Sequence, residues 1–248
     1  MPPNPLTLIV ATTPIKTKTT KPAVLSERLG IGHGGALPWP RIKADMSFFA
    51  RVTTRAPRPD TTNAILMGRK TYDSLPVKLR PLAKRINVVL TRDPINVGRM
   101  VRGELENKIA SSSISASSGT EQQETQTPTT DAIVETGLET ALQTLETKYQ
   151  GGKLGKIFVI GGAEIYAAAL RMAGSRPLRI VMTNVQKINP QEEFECDTFF
   201  PVDEELVHER GWRKVMPEEL TEWVGETVSC EWKEEGDVRI QMVGYERI

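Results

Sequence analysis

Short runs of apolar, largely β-branched residues recur along the chain at Leu6–Ala11, Asn63–Met67, Ile86–Thr91, Ile157–Ile160 and Leu178–Val185. Most are apolar at nearly every position instead of alternating, the pattern of strands covered on both faces. Between them the period becomes helical. Leu138, Leu142, Leu145 and Tyr149 share one face of a helix predicted from about Gly137 to Lys148, and Phe48, Phe49 and Val52 one face of a helix beginning near Ile42. Strands alternating with helices predict an α/β fold with a mainly parallel sheet and right-handed crossovers. In the C-terminal third, Phe194–Phe200, His208–Val215, Thr227–Trp232 and Val238–Tyr245 read as strands with few helices between them, which fits antiparallel strands finishing the sheet.

Two segments fall outside this rhythm. Thr12–Glu27 is rich in Thr, Lys and Pro and separates the first strand from a glycine cluster. Gly103–Asp131 holds the run SSSISASSGTEQQETQTPTT, too poor in large apolar residues to offset the entropy of ordering, and is expected to be a mobile insertion. Neither reads as a linker, because neither side would own a complete sheet. The expectation is one three-layer domain, residues 1–248, with insertions at about 12–29 and 103–131.

Charge and cysteine usage narrow the partners. Thirty-two Lys and Arg face 31 Asp and Glu, and a net charge of +1 gives no field to draw nucleic acid or an acidic membrane. Cys196 and Cys230 form no CxxC and no disulfide framework, and with only His33 and His208 the usual His/Cys zinc sites cannot be assembled. The N-terminus has no basic region, Leu6–Ala11 is too short for a signal peptide, and no stretch approaches the ~20 apolar residues of a membrane span. A soluble, cytoplasmic protein is expected. With no surplus apolar stripe, a monomer is expected too.

Five clusters can carry chemistry. Gly30-Ile31-Gly32-His33-Gly34-Gly35 bends sharply before the rigid Leu37-Pro38-Trp39-Pro40; a structural turn and a ligand-binding loop both fit. Asp45 lies on the following helix, on the face of Phe49 and Val52. It is either a first-turn carboxylate facing solvent or one that grips a ring nitrogen and its neighbouring amine through two parallel hydrogen bonds. Met67-Gly68-Arg69-Lys70-Thr71 leaves a strand and opens a short helix, and Thr91-Arg92 ends the next strand in the same sense. As parallel neighbours, these ends would set Arg69, Arg92 and a hydroxyl around one anion, suiting a ribose 2′-phosphate. Solvated charges at strand ends are the alternative. Phe158–Tyr166 runs a strand into Gly161-Gly162 and then a helix, where a pyrophosphate can approach, although Gly-Gly after a strand is common. In Leu79–Arg85 an arginine can hold a carboxylate or stand exposed.

Taken in order, GIGHGGALPWP, KADMSFFARVT, AILMGRKTYDSLP, RPLAKRINVVLTR, IFVIGGAEIY and DTFFP resemble successive motifs of the eukaryotic dihydrofolate reductases, from about residue 6 to the C-terminus. The resemblance implies an eight-stranded, mainly parallel sheet with an antiparallel C-terminal strand, and NADPH-dependent reduction of 7,8-dihydrofolate. It implies that Asp45 binds the pterin 2-amino group and N3 and supports protonation of N5, through water held near Trp39. Ile9, Val10, Met46, Phe49, Ser74, Leu75, Leu82, Ile160 and Tyr166 would line the substrate, Thr183 would assist the pterin amine, and Arg85 would hold the glutamate α-carboxylate. Ala11, Ile31 and Tyr166 would meet the nicotinamide. Gly161, Gly162, Ala163, Glu164 and Ile165 would lie along the pyrophosphate. Gly68, Arg69, Lys70, Thr71, Thr91 and Arg92 would take the phosphates, the 2′-phosphate falling to Arg69, Thr91 and Arg92. Antifolate inhibitors are implied as further ligands.

The chain departs from the family pattern in the long Thr12–Glu27 stretch, in the Gly103–Asp131 insertion, and at Ala36, where many members carry an acidic residue. Two competing readings remain at this level. A related reductase acting on a ribosylaminopyrimidine needs no Arg85, since its substrate has no glutamate tail. A catalytically silent folate binder would not need Asp45, Trp39 and the cofactor contacts together.

Overall fold

The computed structural model describes residues 4–17, 26–116, 128–172, 176–202, 206 and 211–248. The chain divides into two compact units, Met1–Val52 with Tyr166–Ile248, and Thr53–Ile165.

The second unit is built on four parallel strands, β3 (Thr62–Gly68), β4 (Ile86–Leu90), β5 (Asp131–Glu135) and β6 (Leu154–Gly161), in the order β6-β3-β4-β5. β3 and β4 are buried along almost their whole length, which matches their unbroken apolar sequence, since a strand with no exposed face needs no polar alternation. Its helices are α2 (Arg69–Ser74), α3 (Pro94–Ala116) and α4 (Leu138–Lys148). Leu138, Leu142 and Leu145 of α4 are buried, as their spacing predicts, together with Ala141; Tyr149, expected on the same face, lies just past the helix end and is half-buried.

In the first unit, β1 (Leu6–Thr17) pairs in parallel with β7 (Leu178–Lys187), and β7 pairs antiparallel with β11 (Val238–Arg247). β2 (Ser26–Gly32) pairs antiparallel with β1 and with β8 (Thr198–Phe199); β9 (Trp212–Lys214) and β10 (Lys233–Glu235) pair antiparallel with β11. Among the described residues, three short strands (β8, β9 and β10) thus join eight longer ones. The helices are α1 (Lys43–Thr54), which runs two residues into the other unit, α5 (Ala163–Arg171), which begins there, and α6 (Pro217–Val224). Trp39, Ile42, Val185, Phe194, Val238 and Ile240 form an apolar cluster in which Trp39 meets Phe194 edge to face, with centroids 5.8 Å apart. No helix among the described residues is long and apolar enough to cross a membrane.

Four sequence expectations need correction. The stretch after Ala11 continues as strand: β1 reaches Thr17 and returns in β2, with Thr17 opposite Ser26 and Thr13 opposite Gly30. Its threonines supply β-branched residues, and Thr12 and Thr13 are buried. Residues 18–25 lie outside the described residues.

Gly103–Ala116, expected to be unstructured, belongs to α3. Its anchors are polar. Tyr72 donates to Glu104 at 2.6 Å, Arg80 sits 3.2 Å from Glu104, and Lys108 donates to the Leu79 carbonyl at 2.9 Å. The rest of that expectation, from 117 to 127, lies outside the described residues.

Thr227–Trp232 is not a strand, and Phe194–Phe200 shrinks to β8. In the former, Cys230 takes a positive φ of 56° and Val228 donates its N–H to the Thr221 hydroxyl at 3.0 Å, so the segment turns back on α6 instead of pairing. α6 itself was signalled by Pro217, Glu218 and Glu219 at its start and by Gly225, left-handed at φ 76°, after its end. Of His208–Val215, Trp212–Lys214 is strand, and 207–210 lie outside the described residues.

Candidate active site

In the first unit, Asp45 sits in the first turn of α1 and is only 9% exposed. The Thr183 hydroxyl hydrogen-bonds its carboxylate, and no cation pairs with it among the described residues. Burial pushes the carboxyl above the ordinary carboxylate value; the Thr183 hydrogen bond opposes this, and the negative charge of Glu235 adds to it. Thr183 reaches Asp45 from β7, where it stands opposite Ala11 of β1 and Met242 of β11. Ile9 and Val10 of β1 are buried, and the buried Tyr166 donates its hydroxyl to the Ile9 carbonyl at 2.8 Å. Burial drives that phenol well above its usual value. On α1, Phe49 is half-buried and Met46 is 40% exposed. Trp39 lies in the apolar cluster at 5% exposure, and Ile31 is half-buried on β2. Of the glycine cluster, Gly34 and Gly35 hold φ of 58° and 82° in a tight turn closed by reciprocal His33 and Ala36 backbone hydrogen bonds.

In the second unit, Arg85 is 7% exposed, and it too lacks an ion-pair partner among the described residues. Its Nε donates to the Ala83 carbonyl at 3.0 Å and its NH1 to the Thr53 hydroxyl at 2.8 Å; burial lowers its pKa to about 10. A buried guanidinium without a counter-ion suits a ligand carboxylate, which can take two parallel N–H bonds. Leu82 is buried nearby in sequence, Leu75 half-buried and Ser74 exposed, the Ser74 hydroxyl donating to the Thr71 carbonyl at 2.7 Å.

Gly68 of β3 stands opposite Leu90 of β4, so Arg69 and the pair Thr91–Arg92 leave neighbouring strand ends. The Arg69 and Arg92 side chains are exposed, whereas Thr91 is buried and accepts the Asp93 N–H at 3.1 Å. Asp93, exposed, is held below the usual carboxylate range mainly by Asn96, and also by the charges of Arg69 and Arg99. No side chain caps α2. β6 ends on Gly161, with φ 124°, joined to Gly162 by a cis peptide. A Cβ on Gly162 would meet the Thr71 hydroxyl at 3.5 Å, and one on Gly68 would meet Ile165 at 3.2 Å. A side chain at 162 would lie against Thr71, and one at 68 would crowd Ile165. Ile160, Ala163 and Ile165 are half-buried, and Lys70 and Glu164 exposed.

Three residues that shape these sites escaped sequence reasoning. Thr53 anchors Arg85. Asn87, fully buried, accepts the Leu82 N–H at 2.8 Å and donates to the carbonyls of Leu82, Arg85 and Asp131, which fixes the loop that carries Arg85. A lone Asn inside the apolar run Ile86–Leu90 was the available signal, since a buried amide needs partners. The third, Glu235, gave no signal; only the tertiary fold brings it to α1.

The family model described as dihydrofolate reductase matches residues 23–118 and 119–224. The chain is 33% identical to the dihydrofolate reductase of Candida albicans over 87% of its own length and 89% of the relative's. It is 34% identical to that of Pneumocystis carinii (82% and 84% covered) and 30% identical to that of Mus musculus (90% and 94% covered). Among solved structures, the dihydrofolate reductase of Schistosoma mansoni aligns with a TM-score of 0.61 at 26% identity, covering 99% of each chain.

Proposed function

Since the chain belongs to the dihydrofolate reductase family, we propose that it transfers hydride from NADPH to C6 of 7,8-dihydrofolate and adds a solvent proton at N5, giving 5,6,7,8-tetrahydrofolate and NADP⁺. The observation that carries this reading is Asp45, a buried carboxylate held by a hydroxyl and left without a cation. Such a group raises the free energy of the empty protein and is relieved by a ligand that offers two N–H groups, or a positive charge, to it.

The residues fit the cofactor. The glycines at 68 and 162 leave room that side chains would fill, and Arg69 and Arg92 bring two exposed cations to adjacent strand ends. These arginines and Thr91 would hold the 2′-phosphate and favour NADPH over NADH; Lys70 and Thr71 would support the phosphates. Bound NADPH supplies the hydride.

The protein's share is binding and proton control. Asp45 accepts hydrogen bonds from the pterin N3 and 2-amino group, with Thr183 on the same amine. Its negative charge favours the cationic, N5-protonated imine, which accepts hydride at a lower barrier. Trp39 is assigned to the water that carries the proton. Arg85 holds the glutamate α-carboxylate; Ile9, Val10, Phe49, Leu75, Leu82 and Ile160 give the substrate apolar surface, joined by Met46 and Ser74. Ala11, Ile31 and Tyr166 are assigned to the nicotinamide.

The test is the loss of NADPH absorbance with 7,8-dihydrofolate, run beside NADH and dihydrobiopterin. Rapid turnover with the first pair and weak turnover with either substitute is expected. Tight binding of both ligands without turnover would overturn the reading in favour of a silent binder.

A further inference from the structure

Glu235 ends β10 and reaches the start of α1, some 190 residues away in sequence. Its two carboxylate oxygens accept the backbone N–H groups of Lys43 at 2.6 Å and Ala44 at 2.9 Å, immediately before Asp45. The first N–H groups of a helix have no partner inside it, and they concentrate the positive end of its dipole. A carboxylate supplied by another element therefore does two things here. It fastens the first turn of α1 to the β10–β11 hairpin, and β11 is the partner of β7, which carries Thr183. It also takes up the positive field that would otherwise favour the Asp45 anion, and sets a second negative charge close to it.

We propose that Glu235 is a positioning residue for Asp45, fixing the depth of the Asp45 carboxylate against Thr183 and tuning its charge through the capped helix end. The inference rests on Asp45 being the group that governs proton delivery. The electrostatics agree: Asp45 is held above the usual carboxylate range by burial first, with the Glu235 charge acting in the same direction. Glu235 is held below its usual value by the Ala44 and Lys43 N–H groups and by the Lys43 charge. The two carboxyls are therefore displaced in opposite directions, Asp45 upward and Glu235 downward. Of the other charged side chains on these elements, Lys43 of α1 acts on Glu235 itself, whereas Arg51 of α1 binds Glu226, Arg239 of β11 binds Gln186, Arg179 of β7 binds Glu246 of β11, and Lys187 of β7 binds Asp237 and Glu192. Lys233 and Glu234 of β10 are exposed, and neither contributes to the shift of Asp45.

Two measurements on the full chain test this. The first is the pH dependence of hydride transfer in single turnovers with NADPH and 7,8-dihydrofolate; the second is the titration of the Asp45 carboxyl by carbon NMR in the ligand-free protein. Glu235→Gln keeps an acceptor for the helix but removes the charge. It should move the Asp45 titration and the alkaline limb of the rate profile to lower pH, with roughly threefold slower hydride transfer on that limb, the size of one screened charge nearby. Glu235→Ala should show the same displacement and unfold at lower temperature. Superimposable profiles and an unmoved Asp45 titration in Glu235→Gln would overturn the inference. If Asp45→Asn left the parent rate profile intact, the assignment of Asp45 would fail instead. The NMR titration, which needs no turnover, would still decide whether Glu235 acts on Asp45.

Discussion

Asp45 and Arg85 pose the same physical problem with opposite sign. Each is under 10% exposed, each is held by a threonine hydroxyl, and among the described residues neither has a counter-ion. Burial acts against the charged form of both, raising the Asp45 pKa and lowering that of Arg85 to about 10. The consequences for stability differ. The folded state binds the Asp45 proton more tightly than the unfolded chain does, so stability falls as pH rises from the ordinary carboxylate value through the raised one. For Arg85 the folded state releases its proton sooner, and stability rises only as the pH climbs from about 10 toward the ordinary arginine value. Each penalty applies wherever the group is charged, and both sites gain when a ligand brings the missing charge or donors. The two part once the ligand is bound: a carboxylate beside a reacting ring can alter a barrier, whereas a guanidinium beside an unreactive carboxylate adds binding shared by ground and transition states.

Asp45→Asn should slow hydride transfer at neutral pH by about 10²- to 10⁴-fold, the usual worth of placed proton chemistry. NADPH affinity should stay within about twofold, since no cofactor contact is assigned to the residue. Stopped-flow and fluorescence titration read the two quantities. The ligand-free variant should also melt at a higher temperature at pH 8, because a buried charge is gone. Equal damage to turnover and NADPH binding would make Asp45 a structural residue.

Arg85→Met should raise KM for dihydrofolate about 10²-fold, as expected for stranding a buried charge partner, and leave kcat nearly unchanged. A dihydropterin without the glutamate tail should not distinguish the variant from the parent. A fall in kcat with that truncated substrate would place Arg85 in the chemistry and erase the contrast with Asp45. Arg69→Ala and Arg92→Ala should each narrow the preference for NADPH over NADH about tenfold, the scale of one charge-assisted hydrogen bond. An unchanged ratio of kcat/KM values would remove them from the 2′-phosphate site.

The second unit was more legible in sequence than the first. β3 and β4 are buried at nearly every position and α4 at the leucines that periodicity selects, and the neighbouring ends of β3 and β4 follow from the parallel pairing expected of such runs. What escaped there was held by polar contacts: α3 past Gly103 relies on Tyr72, Arg80 and Leu79 reaching Glu104 and Lys108, and no hydrophobic pattern announces those. In the first unit, the positive φ of Cys230 ended an expected strand, and Glu235 found α1 only through the hairpin. Asp45 and Arg85 were identifiable as residues, but their lack of partners is a tertiary fact. Sequence spacing left Asp45 free to face solvent and Arg85 free to stand exposed.

The two threonine hydroxyls can be removed while both charges stay in place. Thr183→Val removes the hydrogen bond that lowers the Asp45 pKa, so the Asp45 titration should move further up and the alkaline limb of hydride transfer should move with it to higher pH. Hydride transfer at neutral pH should still slow about three- to tenfold, since one hydrogen bond to the substrate amine is lost. Thr53→Val removes the acceptor at 2.8 Å from Arg85 NH1, and it should raise KM for dihydrofolate by a similar few-fold factor with no displacement in pH, because the guanidinium stays charged throughout the working range. The two threonines do the same structural work, so only the identity of the charge they hold separates their outcomes. A pH displacement in both variants, or in neither, would mean that Asp45 and Arg85 are not divided into a proton-controlling site and a binding site.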